Sequence, residues 1–68
     1  MPTYEAAIYN EQVKAARGRG ESHPKVADEW ASVHFIEVEA MNEALAIAKL
    51  KRQYSESDGF VIDEVNPA

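Results

Sequence analysis

The sequence has no cysteine, three glycines, three prolines, and no apolar run longer than Ala44–Ala48. Without cysteine there can be no disulfide, and a closed zinc site is not expected. A run of five falls far short of the roughly 20 apolar residues a membrane helix needs. The first residues also lack the basic and apolar regions of a secretory leader. Basic side chains are scarce, with seven Lys and Arg against twelve Asp and Glu, for a net charge of -5. That balance disfavours sequence-independent binding to nucleic acid or to an anionic membrane. The chain is expected in the cytoplasm, with no membrane partner, no cofactor and no metal.

What is there is 68 residues with 46% apolar side chains, enough for a single domain over residues 1–68 and no more. At this size a fold buries only about 60% of the surface that its unfolded chain exposes, and total stability is roughly 3 to 10 kcal/mol. Such scaffolds are usually reinforced by disulfides, a metal or oligomerisation. With the first two set aside, self-association remains.

Tyr4 to Tyr9 is rich in β-forming residues, and alternation puts Tyr4, Ala6 and Ile8 on one face. Ala6, Tyr9, Val13 and Ala16 also recur at helical spacing, so residues 10–17 can be read as helix or as extended chain. The reading that satisfies both is a strand over about 3–9 passing into a short helix or turn, with Asn10 as its N-cap and its end before Gly18. Residues 17–25 form a flexible polar loop, because Gly18, Gly20 and Pro24 break regular structure. Val26 to Ala31 has room for one helical turn anchored by Trp30. Residues 32–39 alternate as a strand, expected to be the central one, with Val33, Phe35 and Ile36 covered on both faces.

The strongest helix runs over about 41–54, with Glu43 in its first turn and Lys49, Lys51 and Arg52 near its end. Its apolar arc is wide: Met41, Leu45 and Ala48 are expected to face the sheet, and Ile47, Leu50 and Tyr54 to lie toward the other side. A last strand follows over about 60–65, ended by Pro67. This order predicts a small two-layer α+β domain, with one long helix over a three-stranded sheet. The unit from Ser32 to Val65 would be a right-handed crossover if its strands are parallel neighbours.

Residues 14–25 hold Lys14, Arg17, Arg19 and Lys25 against Glu21 alone; this local charge of +3 leaves -8 for the rest of a chain whose net charge is -5. Arg17, Arg19, His23 and Lys25 could together hold a phosphate or carboxylate. The glycines match no dinucleotide or P-loop pattern, and two Arg-Gly pairs do not make an RNA-binding tract. His23 and His34 have no zinc-ligand spacing; His34 shares a face with Ile36 and Val38 and is expected at the core edge. With only Ser22, Ser32, Ser55 and Ser57 as candidate nucleophiles, no catalytic triad can be drawn.

The start Met1-Pro2 followed by a strand resembles the opening of the small tautomerases. That resemblance implies Pro2 as a general base once Met1 is removed, with Arg17 or Arg19 holding a dicarboxylate substrate. It covers Pro2 and the first strand only, since those enzymes place their long helix directly after that strand, whereas here it follows Val38.

The sequence therefore points to a small non-enzymatic, self-associating interaction module, an accessory or regulatory subunit of a larger assembly. One helix cannot cover both faces of the sheet, so the homodimer would form through the long helix, burying Ile47, Leu50 and Tyr54 with Trp30 as a further anchor, through an edge strand or the bare face, or by exchange of the N-terminal strand. The alternative is a small-anion-binding protein or small enzyme built on the 14–25 loop.

Overall fold

The computed structural model describes all 68 residues. Strand β1 (Thr3–Asn10) runs into helix α1 (Glu11–Gly18), and a 3-10 turn at Asp28–Ala31 precedes strand β2 (His34–Glu39). Helix α2 (Glu43–Gln53), a 3-10 turn at Glu56–Asp58 and strand β3 (Phe60–Pro67) complete the small α+β domain.

The sheet has the order β2-β1-β3, and both pairings with β1 are antiparallel. The central strand is thus β1, not the 32–39 segment. The reason is visible in the residues. Ala6, Ala7 and Ile8 are consecutive and all buried, as in a strand flanked on both sides, whereas β2 alternates half-buried and exposed positions throughout. β2 and β3 run parallel to each other with β1 between them, so they are not neighbours and α2 crosses over β1 to join them.

Between Ala7 and Ile8 the pairing with β3 shifts: Ile8 faces Ile62, while Ala7 faces Glu64. The extra residue, Asp63, lets Ile62 and Val65, three apart in sequence, both pack on the core. Pro67 does not stop the strand, because β3 is an edge that tolerates a missing amide donor.

Both helices start on an asparagine. Asn10 Oδ1 accepts from the Gln12 and Val13 amides at 2.9 and 3.0 Å, and Asn42 Oδ1 accepts from the Leu45 amide at 2.9 Å. The cap at Asn42 leaves Met41 outside α2. It also helps set which side of the helix meets the sheet. Ala46 and Leu50 are the buried positions, Tyr54 packs beside them, and Met41, Leu45 and Ala48 face solvent. The expected phase is therefore corrected: a broad apolar arc leaves helix rotation open, and here small Ala46 permits close approach. Lys49 Nζ, donating to the Glu39 carbonyl at 2.6 Å, fixes the outer flank.

The core is Ala6, Ile8 and Leu50, ringed by Trp30, Ile36, Val38, Tyr54, Phe60, Ile62 and Val65. Trp30 closes one end, with ring centroids 4.3 Å from His34, 5.4 Å from Tyr54 and 5.3 Å from Phe60. Val13 and Ala16 are the buried positions of α1, which packs against the turn carrying Trp30.

Candidate functional site

Ala6 and Ile8, the β1 members of the core cluster, lie on one face of the sheet, so Glu5, Ala7 and Tyr9 point to the other, where Ala7 is only 7% exposed. No element covers that second face. The register builds it in rows. Glu5 lies between Glu37 and Asn66, Ala7 between Phe35 and Glu64, and Tyr9 beside Val61. Phe35 is 68% exposed and Val33, just before β2, is 47% exposed, although both were expected to be covered. One helix and one turn are enough to bury the core face of this sheet, and nothing is left for the other.

The open face is polarised along the strands. Toward the start of β1 it carries Glu5, Glu37 and Glu39, with Glu64 at the β3 edge. Toward the end of β1 it carries Tyr9, with Lys14 Nζ 5.6 Å from the ring centroid. Glu5 and Glu37 are directly opposed across β1 and β2, an arrangement that costs rather than stabilises. The structure's two ion pairs, Arg17–Asp28 at 3.5 Å and Arg19–Glu21 at 3.0 Å, leave these glutamates unpaired.

The anion-site candidates are arranged differently from the expectation of a free loop. Arg17 belongs to α1, and both arginines face acids of their own chain. His23 is tied into the loop: its Nδ1 accepts from the Lys25 and Val26 amides at 3.0 and 3.1 Å, and its Nε2 lies 2.9 Å from Gln12 Oε1. Lys25 contributes its backbone amide there, and its side chain is exposed. Arg19 and His23 line one open cavity together with Glu21 and Ser22, and Arg17 and Lys25 do not line it. His34 sits half-buried against Trp30, with Nε2 2.9 Å from the Glu29 carbonyl. No group of three His, Asp or Glu side chains is placed to hold a metal ion.

Of the residues expected at an interface, Leu50 is in the core, and Trp30 and Tyr54 pack against it. Ile47 is half-buried. Leu50, 1% exposed, has no surface to offer a second chain, while Trp30, Ile47 and Tyr54 each keep part of theirs. Pro2 lies at the opposite end of β1 from α1, about 25 Å of strand away, so the structure does not bring it to Arg17 or Arg19. Exchange of the N-terminal strand would extract the strand on which both edges pair.

A second apolar surface flanks α2. Met1, Ala40, Met41, Leu45, Ala48, Lys49 and Arg52 line an open cavity of about 320 Å³, with Met1 and Met41 each about two-thirds exposed.

No family model matches the chain, and no curated protein or solved structure matches it.

A bare sheet face with Glu37 and Glu39 outward follows from the sequence, but Phe35 and Tyr9 as members of that face do not. The signal was present in the alternation of β2, whose outward positions are Phe35, Glu37 and Glu39. Its meaning depends on which strand is central.

Proposed function

We propose that this protein is a small, non-enzymatic interaction module that self-associates through the uncovered face of its sheet. The supporting observation is Phe35, 68% exposed in a strand where it pairs with Ala7 and stands two residues from Val33, itself 47% exposed. Burying an aromatic side chain of this kind is worth about 1.5 to 3 kcal/mol, a large fraction of the stability expected for 68 residues. A second copy supplies a matching apolar surface at no cost in new sequence, and closed two-fold dimers are the commonest assemblies. An anion-binding role is less well supported, since Arg17 and Arg19 are engaged by Asp28 and Glu21.

The test is sedimentation equilibrium from micromolar to millimolar concentration on the parent chain and on Phe35→Ser. The parent is expected to associate and the variant to remain monomeric, with the same melting temperature at low concentration. A parent chain that stays at 7.6 kDa throughout overturns the proposal.

The exposed Met1, Met41 and Leu45 favour a second, compatible role as a subunit of a larger assembly. They lie on the α2 side, away from the open sheet face, and methionines adapt readily to unlike partners. Native-lysate sizing of the tagged chain at the dimer's mass alone counts against that role.

A further inference from the structure

Resting on self-association through the open face, we infer the orientation of the second copy: its strands run antiparallel to the first, about a two-fold axis that crosses β1 at Ala7. Two features of the face select this arrangement, and a third is its weak point.

The first is the charge gradient. Ala7 is the midpoint between Glu5 and Tyr9, each two residues away, or about 7 Å along the strand. A two-fold axis through Ala7, perpendicular to the strands, exchanges the Glu5 row with the Tyr9 row. Glu5 of each copy then opposes the partner's Tyr9 and the partner's Lys14 above that ring, while Glu37 comes over the partner's Val33 position, one strand spacing to the side. Stacked sheets lie about 10 Å apart, a gap that a lysine and a glutamate bridge together. Each acidic pair, without a cation within its own chain, thereby gains one lysine across the interface.

The second is the position of Phe35. The same axis keeps β2 over β2, so Phe35 meets the partner's Phe35 beside the central Ala7, whose small side chain lets the sheets approach. With the axis along the strands instead, β2 would lie over β3, Phe35 would meet Glu64, and Glu5 would face the partner's Glu5. That stack opposes like charges at Glu5 and sets the charge of Glu64 against the Phe35 ring.

The third is the edge. Glu64 of the two copies come together at the β3 side in the antiparallel stack, where sheet twist opens the gap to water. This contact is unfavourable, and removing its charge should strengthen the dimer.

Charge exchange tests the orientation by sedimentation, with melting at low concentration confirming that each variant folds. Lys14→Glu, and separately Glu5→Lys with Glu37→Lys, should each weaken association by about tenfold or more, because an attraction becomes a repulsion at two symmetric places. All three substitutions in one chain should restore it, since the reversed charges again face each other. Glu64→Gln should tighten it, and added salt should loosen the parent dimer. A strand-parallel stack requires the opposite pattern: the triple variant stays weak and salt strengthens the parent dimer. A parent that dimerises and loses this with Phe35→Ser, yet is unmoved by Lys14→Glu and not rescued by the triple variant, overturns the orientation alone. A monomeric parent overturns self-association, and the orientation with it.

Discussion

Gly59 closes directly onto the cap of α1: a Cβ at Gly59 would lie 2.7 Å from Asn10 Oδ1 and 2.5 Å from Gln12 Cγ. Gly59 is also left-handed, at φ 94°, and its carbonyl accepts from the Glu11 amide at 2.8 Å. The turn before β3 thus holds the junction of β1 and α1. Gly59→Ala adds both backbone strain and a clash with a buried side chain, and should cost about 3 kcal/mol in chemical denaturation. Gly18→Ala is the control. It has open space and ends a helix, so stability should hold or rise by up to about 1 kcal/mol.

Asn10 is fully buried and uses both ends of its amide, accepting from the Gln12 and Val13 amides and donating Nδ2–H to the Asp58 carbonyl at 2.9 Å. Asn10→Ala removes the cap and leaves buried groups without partners, for a loss of about 2 to 4 kcal/mol. Asn10→Ser keeps the cap acceptor but cannot span to Asp58, and its midpoint should fall between those of the parent and Asn10→Ala.

These two positions show what could be seen in the sequence and what could not. Asn10 as a cap is a local feature, and local chemistry identified it, whereas the packing of Gly59 on that cap is not local. The two-layer α+β class followed from the order of the elements. Strand order and helix rotation did not follow, because each depends on contacts between distant segments. The alternation of β2 describes a strand with one buried face equally well at the centre or the edge of a sheet, and only its pairing with β1 alone decides. In α2 an apolar arc spanning Leu45, Ile47 and Leu50 admits several rotations, and the cap at Asn42 with the Lys49 contact at Glu39 favours one. The polarity of the open face was hidden for the same reason: it emerges only when Glu5, Glu37 and Asn66 are aligned across three strands.

His23 organises its loop as a neutral imidazole. Nδ1 accepts two backbone amides, which requires the proton on Nε2, facing Gln12 Oε1. Nitrogen-15 spectra should show the Nε2–H form. His23→Ala should speed amide exchange at Lys25 and Val26 by at least about tenfold, with little change in global stability. Unchanged exchange would mean that the loop is held by something else.

Arg17 and Arg19 form exposed ion pairs with Asp28 and Glu21. Exposed pairs contribute little, so Arg17→Gln with Arg19→Gln should shift stability by no more than about 0.5 to 1 kcal/mol. Phosphate titration followed at the Gly18 and Gly20 amides separates the remaining possibilities. Saturable shifts in the parent that vanish in the double variant would revive the anion-site reading.

Leu50 and Leu45 measure the rotation of α2. Leu50 is 1% exposed and packs with Ala6 and Ile8, while Leu45 stands on the solvent side among Met41, Ala48 and Arg52. Leu50→Ala leaves a cavity in a core with few large side chains and should cost about 2 to 5 kcal/mol, close to the whole stability of a domain this size. Leu50→Glu should be unfolded at every concentration, because its partner residues belong to its own chain and no dimer can rescue them. Leu45→Ala should lose less than about 1 kcal/mol, and Leu45→Glu should still fold. If Leu45→Ala proved the more damaging change, α2 would be turned with Met41, Leu45 and Ala48 toward the sheet. Leu50 would then be free to serve an interface through the helix.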